Sequence, residues 1–131
     1  MGQVYNVIIT EKMTDEKKVA ETLRMKIERG KSEHVDYSLD HYKAIGIGTD
    51  TAEDLMKIFF GGWMGRLGSA PLPEGFTEHT SDFDTCYGWE RVMMEAFDEI
   101  APYLADGSKI VIYPDSGADI AVVKGGKAKW S

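Results

Sequence analysis

The stretch KIVIYPDSGADIAVVKGGKAKW, residues 109–130, constrains the fold of this chain more than any other. Three short runs, Lys109–Tyr113 and Ala118–Val123, both rich in β-branched residues, and Lys127–Trp130, are separated by Pro114-Asp115-Ser116-Gly117 and by Gly125-Gly126. Turns this short join strands only in antiparallel order, because a parallel crossover needs a dozen residues or more. The C-terminal quarter is therefore expected to be an antiparallel meander.

Upstream, Val4–Ile9 reads as a further buried strand. Thr14 is the expected cap of a helix running to Arg29. Val19, Leu23 and Ile27 recur at i, i+4, i+8, and Gly30 supplies the stop. Residues 31–41 read as a polar loop and Tyr42–Ile47 as a short strand. A second helix begins near Thr51, which has capping-box spacing to Asp54. Its stripe of Leu55, Met56, Phe59, Phe60 and Trp63 is destined for the core, with Gly61 and Gly62 loosening its end. Residues 64–84 read as a long connection. The third helix shows the clearest period: Trp89, Val92, Met93, Ala96, Phe97 and Ile100 form one apolar face, and Pro102 ends it.

The order β-α-(β)-α-α-β-β-β has no βαβ alternation. It predicts an α+β domain spanning residues 1–131, with four to five antiparallel strands and about three helices on one sheet face. A length of 131 residues with 43% hydrophobic and 28% charged residues suits one core without staples. Cys86 is the single cysteine, so no intramolecular disulfide is available. The N-terminus MGQVYNVIITEK lacks the pattern of a secretory signal, and Asn6 stands where myristoylation wants Ser or Thr. No apolar run is long enough to span a bilayer. The expectation is a soluble, cytoplasmic protein without a membrane.

Charge is uneven along the chain. Of the net −7, residues 67–108 contribute nine acids against Arg91 alone, while residues 109–131 hold four lysines and two acids. Direct binding to nucleic acid is disfavoured, because phosphate contacts need Lys and Arg. A basic protein partner fits better.

Familiar site chemistries find little support. GIGTDTAED, residues 46–54, has the strand–glycine–helix layout of a phosphate cradle but neither phosphate fingerprint, and its acids cap the helix instead. Cys86 is expected at the N-terminus of the third helix, where Asp82, Asp84 and Glu90 would oppose a thiolate. HVDYSLDH, residues 34–41, lacks the spacing of a calcium loop. No catalytic motif, metal motif or cofactor fingerprint is expected.

The expected function is a small acidic protein-binding module. An apolar loop, with Met64, Leu67, Leu72 and Phe76 among glycines and prolines, leads into the acidic run. With Glu74, Glu78, Asp82, Asp84, Glu90, Glu95 and Asp98 it would form one partner-binding surface for a basic protein. In sharper form, size and charge alone liken it to phage-type nucleic-acid mimics, inhibitors such as anti-CRISPR or anti-restriction proteins that dock nucleic-acid-handling proteins. The alternative is a small enzyme or ligand-binding domain with a cleft near Cys86 and His79. A homo-oligomer is compatible with either.

Overall fold

The computed structural model describes residues 2–86 and 88–131, with Gly2 and Cys86 described by their backbone only. Six strands form one antiparallel sheet: β1 (Gly2–Glu11), β2 (Gly68–Pro71), β3 (Thr77–Cys86), β4 (Lys109–Tyr113), β5 (Asp119–Lys124) and β6 (Lys127–Trp130), in spatial order β2-β3-β1-β4-β5-β6. Four helices accompany it: α1 (Glu16–Gly30), α2 (Leu39–Ala44), α3 (Ala52–Phe60) and α4 (Trp89–Ile100). The class is the expected α+β, with more strands and one more helix than the sequence suggested.

Strand alternation sends odd-numbered β1 side chains to the helices. Tyr5, Val7 and Ile9 are buried there with Ile110 and Ile112 of β4 and Ala121 and Val123 of β5. The helices answer with Leu23 of α1, Leu55, Met56, Phe59 and Phe60 of α3, and Met93, Phe97 and Ile100 of α4, all fully buried. Truncating one such aromatic, Phe97→Ala, costs about 3–5 kcal/mol in a core of this kind.

The C-terminal meander forms as read, with Lys109 opposite Val122 and Val122 opposite Lys129. Thr51 caps α3 as expected, accepting from the Asp54 N–H at 3.1 Å. Elsewhere the chain departs from the expectation. The cap of α1 is Asp15, one residue later than expected, because the helix starts at Glu16; its carboxylate accepts from Lys18 N–H, and the Thr14 N–H donates to Tyr103 O at 2.8 Å. Tyr42–Ile47 is not a strand. Tyr42 lies inside α2, and Gly46, at φ +87°, ends that helix as Gly46 N–H bonds Lys43 O and Ile47 N–H bonds Tyr42 O.

Trp63 does not join the core. Helix α3 ends at Phe60, Gly62 turns the chain at φ +72°, and Trp63 is left 56% exposed with His41 stacked on it at 3.6 Å. The expected connection of residues 64–84 holds β2 and the ten-residue β3, which lies against the whole length of β1 from Gly2↔Cys86 to Glu11↔Thr77. Helix α4 begins only at Trp89, so Cys86 closes a strand and does not open a helix.

Candidate docking face

The helices pack on one side of the sheet, and among the described residues none covers the other, where Val4 and Ile8 stay exposed. Register determines what stands on the uncovered side. Val4, Asn6, Ile8 and Thr10 of β1 face outward beside Asp84, Asp82, Thr80 and Glu78 of β3. Beyond β1 come Tyr113, Val111 and Lys109 of β4, then Ile120 and Val122 of β5, then Lys129 of β6. An uncovered antiparallel sheet usually presents polar residues to water. This one mixes large apolar residues among the polar ones: Val4, Ile8, Tyr113 and Val122 remain 36–47% exposed.

Charge on this face is sorted by position. Asp82 and Asp84 stand exposed at the C-terminal half of β3. Lys124, Lys127 and Lys129, also exposed, stand on the β5–β6 hairpin, with Lys124 opposite Lys127. The apolar residues lie between the two groups. A shallow depression of about 1090 Å³ opens beside the acidic side, lined by Asn6, Ile8, Thr80, Asp82 and Tyr113 together with the basic Lys57 and Arg66.

Of the residues expected to bind a partner, Glu78, Asp82 and Asp84 are brought together on this face. Leu72 and Phe76 continue the β2–β3 ladder, with Leu72 N–H bonding Phe76 O at 2.8 Å, and are half-buried at its far end. Glu74 lies in the exposed turn between them, its carbonyl accepting from Lys12 Nζ at 3.0 Å. Met64 is exposed in the turn after α3, whereas Leu67 is buried in the core.

Glu90, Glu95 and Asp98 are elsewhere, on α4 in the helical layer, and each has a partner within the chain. The Tyr5 hydroxyl donates to Glu90. Burial first, then the Glu90 carboxylate, pushes the Tyr5 hydroxyl up to about 12. Glu95 lies 3.4 Å from the buried Lys26 ammonium and 3.3 Å from Arg91 Nε. Burial pushes the Glu95 carboxyl up, but the charges of Lys26 and Arg91 outweigh it and hold the group below the usual carboxylate range. Trp130 Nε1–H donates to Asp98 at 2.7 Å. The acidic third of the sequence is thus divided between two sides of the molecule.

The expected cleft near Cys86 and His79 does not bring those two together. They are seven positions apart on one extended strand, about 23 Å by strand rise. His79 has other company. It is buried on the helix side of β3, with its Nδ1 2.6 Å from Ser69 Oγ on β2 and its Nε2 3.0 Å from Glu11 Oε1 on β1. A carboxylate at Glu11 accepts from Nε2–H, which leaves Nδ1 of the neutral ring to accept the Ser69 hydroxyl proton. Glu11 Oε2 is buried without a hydrogen-bond partner. Ser69 itself is exposed. Cross-strand pairing assembles this trio, and no local sequence pattern signals it.

Among the described residues there is no cluster of three or more His, Cys, Asp or Glu able to hold a metal ion. Of the loop acids near His41, Asp36 accepts from its own Ser38 N–H at 2.8 Å. No helix among the described residues is long and apolar enough to cross a membrane. Comparison with known protein families, with curated proteins and with solved structures gives no match.

Proposed function

We propose that this protein is a non-catalytic protein-binding module that docks a basic, partly apolar protein surface on the uncovered face of its sheet. The observation that carries the reading is the set of exposed apolar side chains on that face, Val4, Ile8, Tyr113 and Val122, flanked by Asp82 and Asp84. A desolvated apolar centre beside a charged rim is the anatomy of a protein interface. The partner-binding set narrows to Leu72, Phe76, Glu78, Asp82 and Asp84 together with the apolar residues of β1, β4 and β5. The inhibitor reading, a mimic of nucleic-acid phosphates, uses the same acids and the same face.

Binding of a deca-lysine peptide, followed by fluorescence anisotropy at low and high salt, tests the proposal. Asp82→Lys with Asp84→Lys should weaken binding at least about tenfold, and salt should weaken the wild type. Glu21→Lys with Glu28→Lys makes the same change in net charge on α1 and should leave most of the affinity. Equal losses in the two variants, or affinity indifferent to salt, contradict the proposal.

A second reading, a hydrolase, rests on the Ser69–His79–Glu11 arrangement, which has the order of a nucleophile, a base and an orienting acid. Its step with a fluorophosphonate is addition of Ser69 Oγ to phosphorus, departure of fluoride and transfer of the hydroxyl proton to His79 Nδ1. A mass increase present in the wild type and absent from Ser69→Ala supports this reading. An unmodified wild type ends it.

A further inference from the structure

We infer that the basic surface fitting the uncovered sheet face is the lysine corner of a second copy of this chain, so that two copies pack face to face as a symmetric dimer. The inference rests on the docking reading above and names its partner.

The argument begins with where the charges stand. Across the strands, β3 is separated from β6 by β1, β4 and β5. Along the strands, Asp84 is level with Val4, whereas Lys129 is level with Val122 and Lys109, and so with Thr10. Asp82 and Asp84 on one side and Lys127 and Lys129 on the other therefore occupy diagonally opposite corners of the face, about 28 Å apart by strand spacing and rise, while Glu78 stands on β3 level with Lys129. Ile8 and Val111, adjacent in register, lie close to the middle of that diagonal.

A two-fold axis lying in the face, through Ile8–Val111 and perpendicular to the diagonal, exchanges the corners. Asp82 and Asp84 of each copy then meet Lys127 and Lys129 of the other, and the apolar centres meet each other. An isologous interface must be self-complementary in this way. An axis along that diagonal would set Asp82 and Asp84 against their own images and Lys127 and Lys129 against theirs, a larger like-charge cost than the single Glu78 pair that the chosen axis brings together. The strands of the two sheets cross steeply, as in the orthogonal class of sheet packing.

Size agrees with a dissociable dimer. Six strands at about 4.8 Å spacing and about 20 Å mean length give a flat projection of about 600 Å². Side-chain relief raises the accessible area toward the roughly 800 Å² per partner of standard interfaces. The four lysines of residues 109–131, which stand against the overall negative charge, all lie on this face.

Sedimentation velocity from about 1 μM to about 500 μM protein tests the inference. The wild type should pass from monomer to dimer in this range. Asp82→Lys with Asp84→Lys makes both corners basic, and Lys127→Asp with Lys129→Asp makes both acidic. Each variant alone should raise the dissociation constant at least about tenfold, and an equimolar mixture should re-form the dimer as a heterodimer. All four positions are exposed, and unchanged circular dichroism shows that the fold is kept. A wild type that stays monomeric, a dimer indifferent to both variants, or a mixture that fails to associate overturns the inference. In each of those cases the deca-lysine comparison judges the docking reading separately.

Discussion

Removing the His79 imidazole should destabilise the protein far more than its single polar contacts suggest, and removing its partner too should recover most of the loss. His79 is 4% exposed and Glu11 5%. In His79→Leu, Glu11 Oε1 loses its donor while Oε2 has none already among the described residues, so a buried carboxyl is left without one of them as partner. Leaving one member of a buried ionisable pair alone costs about 3–5 kcal/mol, and replacing both by apolar residues of similar volume is close to neutral. Glu11→Met should cost less than His79→Leu, about 1–3 kcal/mol, because it leaves a neutral imidazole that still bonds the exposed Ser69. The double variant should return to within about 2 kcal/mol of the wild type, a coupling of about 2 kcal/mol or more. Urea unfolding followed by tryptophan fluorescence gives the four stabilities. Single variants that each cost under about 1 kcal/mol, or costs that simply add, refute the premise that Glu11 and His79 are a coupled buried pair.

Alkali should weaken the fold through two tyrosines. Tyr5 and Tyr37 are both pushed up to about 12, in each case first by burial and then by nearby carboxylates, Glu90 beside Tyr5 and Glu33 beside Tyr37. Each favours the neutral form when folded, so its contribution is complete below the unfolded value near 10 and is lost as pH rises toward 12. The urea midpoint should therefore fall between pH 10 and 12, and Tyr5→Phe should flatten the slope; a midpoint level across that window contradicts the assignment. Gly62→Ala should destabilise by at least about 1–2 kcal/mol, since the backbone there is at φ +72° and the added Cβ would stand 2.5 Å from Phe83 Cβ. Thermal unfolding measures it, and an unchanged midpoint contradicts the packing of that turn against β3.

The elements that were legible in the sequence are those whose local pattern and tertiary environment agree. Lys109–Trp130 holds short runs separated by tight glycine-bearing turns, and α4 carries its apolar face at helical period, so each reads correctly on its own. Strand β3 does not. Its outward set is Glu78, Thr80, Asp82 and Asp84, and its inward set includes His79, Ser81 and Thr85, so it is polar on both sides and shows no period of two. The neighbouring β2 pairs only with its first four residues, and pairing along its whole length comes from β1, which lies far away in sequence. Tyr42–Ile47 fails for the opposite reason, since its β-like composition is overruled by Gly46 closing a helix.

The site follows the same division. The acidic run was visible as composition, but a run of acids does not say on which side of a sheet each carboxylate stands. The chain leaves β3, turns at Gly88 and returns as α4 in the other layer, separating Asp82 and Asp84 from Glu90, Glu95 and Asp98. The exposed Val4 and Ile8 lie in the run Val4–Ile9, which reads as a wholly buried strand, because a β-branched run looks the same whether one face is covered or both. The Ser69–His79–Glu11 trio joins residues 10 and 68 positions apart, and nothing local marks it.

Mapping amide chemical shifts during a titration with deca-lysine tests the docking face most directly. The account predicts shifts centred on Asn6–Ile8 of β1, Thr80–Asp84 of β3 and Tyr113 of β4, with α1 and α4 unmoved. Shifts centred on Glu90–Asp98 of α4, or spread evenly over the surface, would contradict it.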